Sequence, residues 1–528
     1  MKTVLFGLDG ATFTVLDPLV AAGVMPNLGA LYARGARGRL RSTPTPITPQ
    51  AWTSLATGRG AGHHGVFDFI RRVENPRGVF WRVNDSRDNH CETVWDYASR
   101  QGKRVTVLNY ILNAPPRPIR GHSMPGFVSG RHLRRSSHPP DLFERLRGVE
   151  GLDIKILGLD DEIERQGLQE MEPGRWLDWI NHHTGRERAW FGILDHLMGR
   201  EPSDLSAIVF DGVDKIQHLA YRYLDPALAP RDPTPWEAGV IDACHAYFRQ
   251  VDGFLGRVVA RAGRWGRVFV ASDHGFTAST EIFYVNKWLS DRGWLRWRGE
   301  VGGDDRGAVF ADRWTDIAAA IDLPNTRAFA LTPTGYGIHL AVPPGARDAF
   351  RDELTRALLD VRAPDGGRVV TAVKYREDCF PGPFTDRAPD LTLTLRDFGL
   401  VSVLNAREAV VPRAAPVGTH HPDGVLLAVG PGIKAGAEVG PMDILDVTPL
   451  LVHSLGLEVP AGFDGAFPAA LYEPDYLASD PPRVARPGTP EAGPTTAPPP
   501  PGFQENGEMD AEDEAVVLER LKSLGYLE

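Results

Sequence analysis

Short apolar runs ending in an aspartate recur along this chain, with stretches of helical periodicity between them. Residues 4 to 8 close on Asp9-Gly10, residues 205 to 210 on Asp211-Gly-Val-Asp214, and residues 267 to 271 on Ser272-Asp273-His274-Gly275. Residues 104 to 109 and 425 to 429 have the same character. Runs of this length and composition read as strands buried on both faces. Helices are expected over residues 12 to 23, 26 to 34, 50 to 57, 95 to 101, 186 to 198, 241 to 262 and 441 to 457, so strand and helix alternate as in an α/β core. From 115 to 174 the pattern breaks into Gly, Pro and Arg, which predicts an irregular insertion over the sheet.

The second half divides by texture. Residues 278 to 400 carry Trp288, Trp294 and Trp297, a strand at 336 to 342 and a helix at 349 to 359, as expected of an α+β cap whose aromatics form its own core. The expected order is a core at 1–277, the cap at 278–400, the rest of the core at 401–476, a Pro-rich disordered linker at 477–508 and a tail helix at 509–528. In the tail, Val517, Leu518, Leu521 and Leu524 share one face of a helix that ends at Gly525. That face predicts docking either on the body of the same chain or on a second copy, the second case giving a homo-oligomer. No internal repeat is found.

The formal net charge is -10, but eight acidic and two basic residues between Glu505 and Glu528 account for -6 of it. The mildly acidic body excludes a nucleic-acid binder built on a basic surface. Cys91, Cys244 and Cys379 are isolated in sequence, so no disulfide framework is expected. With neither a signal-like leader nor an apolar run long enough to span a membrane, the chain reads as cytoplasmic.

Candidate chemistry gathers at the ends of the expected strands, where ligands bind in open α/β sheets. Asp9 reads as a carboxylate at a strand tip or as a turn residue. Asp214 and His218 lie one turn apart on a helix, a spacing that suits a shared metal or a simple helix-stabilising pair. Asp211 is a rival ligand. Asp273 and His274 converge if their strand ends at Gly275, and His420 lies in Gly418-Thr-His420-His421. Thr48 precedes Pro49, a residue suited to the first position of a helix, and Gly58 is suited to end that helix. Its hydroxyl then faces a helix N-terminus, either as a plain N-cap or where an anion is favoured. Three carboxylates, three imidazoles and a hydroxyl suit zinc best, with manganese or iron as alternatives.

Leu8-Asp9-Gly10, Thr48 with Leu55-Ala-Thr57-Gly58 and His64-Gly65, Asp214-x-x-x-His218, Ser272-Asp273-His274-Gly275 and Gly418-Thr-His420 occur in the order of the type I phosphodiesterase/nucleotide pyrophosphatase family of the alkaline phosphatase superfamily. The chain resembles that family over most of residues 1 to 475. The resemblance implies an alkaline-phosphatase-like three-layer α/β/α sandwich with an inserted α+β cap. It also implies two divalent metal ions, one held by Asp9, Thr48, Asp273 and His274 and the other by Asp214, His218 and His420, with Thr48 as the nucleophile. A small phosphate-ester or nucleotide-like substrate is expected. Pyrophosphatases of the family carry an asparagine in a His-Gly-x-x-x-Asn pattern where this chain has Phe69, so Trp52, Asn109 and Lys215 are candidate substrate contacts in its place. Sulfatases of the superfamily need a Cys/Ser-x-Pro-x-Arg segment that Thr48-Pro-Gln-Ala-Trp52 does not supply. Phosphomonoester or phosphonate hydrolysis, or a non-catalytic scaffold, are the rival expectations.

Overall fold

The computed structural model describes residues 2–75, 78–160, 171–298, 320–332 and 334–485, together with Ile163 and Ala515. The expected tail helix, Ala515 apart, and most of the Pro-rich linker lie outside these residues. Eighteen strands follow in chain order: β1 Thr3–Leu8, β2 Ala36–Arg41, β3 Ile70–Asn75, β4 Gly78–Val83, β5 Val105–Tyr110, β6 Gly121–Pro125, β7 Leu205–Phe210, β8 Arg267–Ala271, β9 Gly275–Tyr284, β10 Ala328–Phe329, β11 Gly337–Leu340, β12 Val370–Tyr375, β13 Leu391–Leu395, β14 Val401–Ser402, β15 Val410–His421, β16 Asp423–Val429, β17 Ala437–Glu438 and β18 Met442–Asp443.

The central sheet has the order β17-β2-β16-β8-β1-β7-β5-β6, with β18 also on β2. β1, β7, β8, β5 and β6 are parallel, while β16 runs against its neighbours. All six residues of β1 are buried, as a strand covered on both faces requires. Its alternating side chains identify the covering layers. Phe6 packs at a tilt against Phe210, which stacks on Phe254 from the helix Pro235–Ala262. On the opposite face, a Cβ at Gly7 would lie 2.7 Å from the Trp52 ring. Glycine at that point admits the helix Thr48–Thr57 close to the sheet.

Several elements depart from expectation. β2 is a full strand, although three of its six residues are arginine. Within 115–174, β6 extends the central sheet, and the helices Gly130–Arg135 and Leu142–Arg147 follow it. The helix expected from 186 begins at Trp176, and that expected from 241 begins at Pro235 behind a Thr234–Glu237 capping box. The closing helix is only Val447–Ser454, after a 3₁₀ turn at Ile444–Asp446. Thr48 is the first helical residue, and Ile47 is the N-cap. Gly58 ends that helix at φ 63, in the left-handed region.

β10, β11, β13 and β12 form an antiparallel sheet packed with the helix Pro344–Leu359 around a separate core that includes Trp288, Trp294 and Phe350. β9 and β15 pair with each other, β14 adding to β9, and form the ribbon by which this lobe leaves and rejoins the central sheet. Thus 401–402 and 410–421 run in the ribbon, and the central sheet resumes at Asp423. Among the described residues no single helix is long and apolar enough to cross a membrane.

Asp68 joins lobe to core. Its buried carboxylate accepts hydrogen bonds from Thr332 Oγ1 at 2.5 Å and Thr334 Oγ1 at 2.7 Å, and from the Phe69 N–H at 2.6 Å. Burial raises this carboxyl to about 6 against the pull of those three donors. Because the folded value lies above the unfolded one, the folded state binds the proton more tightly. That contribution is fully present below about pH 4 and is lost as pH rises through about 6, amounting to about 3 kcal/mol at most. Asp68→Asn should therefore flatten the decline of stability between pH 4 and 7 relative to the parent, measured as urea midpoints. Parallel profiles would overturn this account.

Candidate active site

Strand register brings the chemistry together. Leu8 pairs with Phe210 and Gly7 with Ala271, so Asp9, Asp211 and the Ser272-Asp273-His274 turn leave the sheet side by side at its C-terminal edge. Asp9, Asp273 and His274 form one buried group whose ligand atoms lie within 4.8 Å of one another; Asp214, His218 and His420 form a second.

In the first group, the His274 Nδ1–H donates to the Gly275 carbonyl at 3.1 Å. This leaves Nε2 facing Asp273 Oδ2 at 3.3 Å, Asp9 Oδ1 at 3.5 Å and Thr48 Oγ1 at 3.5 Å. The other carboxylate oxygens are held by the protein. The Trp52 indole N–H donates to Asp9 Oδ2 at 3.3 Å, and the Gly10 N–H donates to Asp273 Oδ1 at 3.1 Å. Asp9 Oδ1 and Asp273 Oδ2 are buried and accept no hydrogen bond. Two orphaned oxygens, an imidazole nitrogen and a hydroxyl thus converge, a donor set fitted to a divalent ion.

In the second group, His218 Nδ1 donates to the Gly418 carbonyl at 3.2 Å and His420 Nδ1 to the Pro46 carbonyl at 2.7 Å. A carbonyl can only accept, so each ring spends its Nδ1–H on the backbone and presents Nε2 inward, the two Nε2 atoms lying 3.2 Å apart. Asp214 Oδ1 lies 3.3 Å from the first and 3.2 Å from the second. Two lone pairs and a carboxylate at these distances repel unless a cation or a proton lies among them. The His274 and His420 rings stack at 3.6 Å between centroids, so the two groups share a wall.

Titration follows burial. Burial and then Asp273 push the Asp9 carboxyl up, and burial likewise raises Asp273. Burial and then His420 push His274 down, and burial lowers His420. Burial also acts to raise Asp214, but His218 and then His420 outweigh it and hold its carboxyl low.

Strand alternation separates the two adjacent histidines. His420 faces the centre, whereas His421 packs on Phe398 and accepts from the Asp423 N–H at 3.0 Å. Of the three candidate substrate contacts, Trp52 holds Asp9. Asn109 and Lys215 belong instead to a buried network around Asp211. Asp211 accepts from Arg186 at 2.6 Å and Asn109 at 3.1 Å, and its second oxygen lies 3.0 Å from the Lys215 ammonium. With its oxygens so engaged, Asp211 joins neither ligand group. Phe69 is stacked on Phe127. Sequence reasoning missed Phe276, whose ring flanks His218 and His420, and Ser42, whose hydroxyl donates to the Asp273 carbonyl at 2.6 Å. Neither sits in a ligand pattern. It also missed Gln217, whose position between Asp214 and His218 was the available signal.

The family described as type I phosphodiesterase / nucleotide pyrophosphatase matches residues 3–423. No curated protein matches in sequence. Among solved structures, murine ectonucleotide pyrophosphatase/phosphodiesterase 5 is similar at a TM-score of 0.52 and 14% identity, over 90% of this chain and 100% of that one. Phosphonoacetate hydrolase from Sinorhizobium meliloti 1021, in complex with phosphonoformate, is similar at a TM-score of 0.51 and 16% identity, over 86% and 96%. At these identities the likeness concerns the fold, an alkaline-phosphatase-like mixed α/β architecture.

If Lys215 completes a buried ion pair, Lys215→Met should lower the unfolding free energy by about 3 kcal/mol by leaving Asp211 less compensated. Denaturant titration checks this, and an unshifted midpoint would show that the pair does not support the fold.

Proposed function

The chain belongs to the type I phosphodiesterase/nucleotide pyrophosphatase family, and from that membership we propose that it cleaves phosphodiester or pyrophosphate bonds through a phosphothreonine on Thr48, in a site for two divalent ions. The observation that carries the proposal is the placement of Thr48. Its hydroxyl opens a helix at the C-terminal edge of the sheet, 3.5 Å from His274 Nε2 and beside the orphaned oxygens of Asp9 and Asp273. Ions held by Asp9, Asp273 and His274 with Thr48, and by Asp214, His218 and His420, would supply Lewis-acid stabilisation of the Thr48 alkoxide and the phosphate oxygens, with zinc the best fit and manganese or iron as alternatives.

Thr48 Oγ1, its proton lost to solvent, attacks phosphorus; its bond to phosphorus forms as the bond to the leaving alcohol or phosphate breaks, and the leaving oxygen takes up a proton from solvent as its basicity requires. The positive end of the helix dipole at Thr48 favours negative charge at Oγ1 and on the adjacent phosphate oxygens. Water then attacks the phosphothreonine, releasing the phosphate product and restoring the hydroxyl. The backbone carbonyls of Gly275, Gly418 and Pro46 keep the three imidazoles in one tautomer throughout.

Charge selects the substrate. Four positive charges on two ions face three carboxylates and the Thr48 alkoxide, a balance that suits a singly charged diester. The buried cations nearby, Arg186 and Lys215, are already paired with Asp211. The fold-level likeness to a phosphonoacetate hydrolase keeps phosphonates in the test panel.

Metal analysis of the purified protein should give about two divalent ions per chain, and chelation should remove activity. Thr48→Ala should lower kcat by about three orders of magnitude or more while retaining most of the metal. The parent should show higher kcat/KM on a bis-aryl phosphate than on the matching mono-aryl phosphate. Near-normal diester turnover by Thr48→Ala would exclude the nucleophile, and a monoester or phosphonate preference would reassign the substrate.

A further inference from the structure

Gln217 lies between two residues of the second ligand group on the helix Gly212–Leu224, yet its side chain reaches the backbone next to Asp9 of the first. The amide is fully buried, and its Nε2 donates to the Gly10 carbonyl at 2.7 Å. A carbonyl only accepts, so this contact fixes which end of the amide faces Gly10. Gly10 follows Asp9 directly, and its own N–H donates to Asp273 Oδ1. One chain of hydrogen bonds therefore runs from the helix carrying Asp214 and His218, through the turn after Asp9, to Asp273.

The backbone of Gln217 makes a second connection. A Cβ at Gly418 would lie 2.2 Å from the Gln217 carbonyl oxygen, so the strand carrying His420 rests directly on this residue. The Gly418 carbonyl in turn accepts from His218 Nδ1. The amide's other end, Oε1, is buried without a hydrogen-bond partner. A fold selected for stability alone has no use for that orphan, whereas a donor required at Gly10 accounts for it.

We propose that Gln217 is a positioning residue that sets the spacing between the two ligand groups. This inference rests on the two-ion reading above but not on the identity of the substrate. In a two-ion site the ions must clamp attacking and leaving oxygens together, so a small change in spacing disturbs the chemistry more than the binding of substrate.

The test uses the full-length protein loaded with two equivalents of Mn²⁺, whose electron paramagnetic resonance spectrum reports the coupling between neighbouring ions. Gln217→Met removes the donor at similar volume. It should retain two ions per chain, change the Mn–Mn coupling, and lower kcat on a diester by about tenfold or more with KM within about twofold. Asn286→Leu is the control. Asn286 is an equally buried amide in the second lobe, donating to the Ala330 and Val403 carbonyls, and its loss should leave coupling and kinetics unchanged whatever it does to thermal stability. Gln217→Glu, read in the same way, serves if the Met variant does not fold.

Parental coupling and kcat in a folded Gln217 variant would overturn the proposal, as would equal changes in the Asn286 control. A parent without coupled ions would overturn it too. A parent with coupled ions but no diester turnover would instead sink the functional reading, while an altered coupling in the Gln217 variant would still support this one.

Discussion

Two carboxylate oxygens buried at neighbouring strand ends, Asp9 Oδ1 and Asp273 Oδ2, have no hydrogen-bond partner, and three imidazoles and the carboxylate of Asp214 lie beside them. Asp9 and Asp273 each give one oxygen to a hydrogen bond and leave the other without one, while His218 and His420 bring their Nε2 atoms to 3.2 Å of each other. Burial drives the carboxyls of Asp9 and Asp273 toward their neutral form. The arrangement suits a cation placed among these groups, and the surrounding architecture holds them close together. The parallel register of β1, β7 and β8 supplies the placement, and a sheet covered by helices on both faces supplies the rigidity.

Backbone carbonyls do much of the orienting. The Gly275, Gly418 and Pro46 carbonyls each fix one imidazole, the Gly10 N–H fixes one carboxylate oxygen, and the Gly10 carbonyl receives Gln217. Backbone groups cannot be altered by a single side-chain substitution. The geometry of the centre is therefore tied to the path of the chain, and side chains of the outer layer, such as Trp52 and Ser42, add to it.

Much of this was legible in sequence because local pattern and long-range placement coincide at the strand tips. An apolar run ending in Asp9 or Asp273 indicates both a buried strand and where its carboxylate emerges. Legibility failed where partners come from elsewhere in the chain. β2 carries arginines at alternate positions and is held as a strand by pairing with β16, β17 and β18, and β6 has little apolar content but extends β5. Asn109 and Lys215 sit at suitable strand and helix positions, but their polar ends were claimed by Asp211 and the residues packed around it, which sequence spacing does not reveal. Besides the Val213 carbonyl on its own helix, Gln217 donates to a backbone carbonyl 207 residues away, beyond any side-chain motif.

The ribbon of β9 and β15 begins at the ligands and ends at the second lobe. His421 is paired with Gly275 and His420 with Phe276 at its base, and Val410 with Phe283 at its far end. The two points where the lobe departs and returns are thus already side by side before any residue of the lobe is counted. An excursion from such a paired base can change greatly in length for little entropic penalty. The lobe is in effect an exchangeable attachment: its size and surface can diverge while the histidines below keep their register.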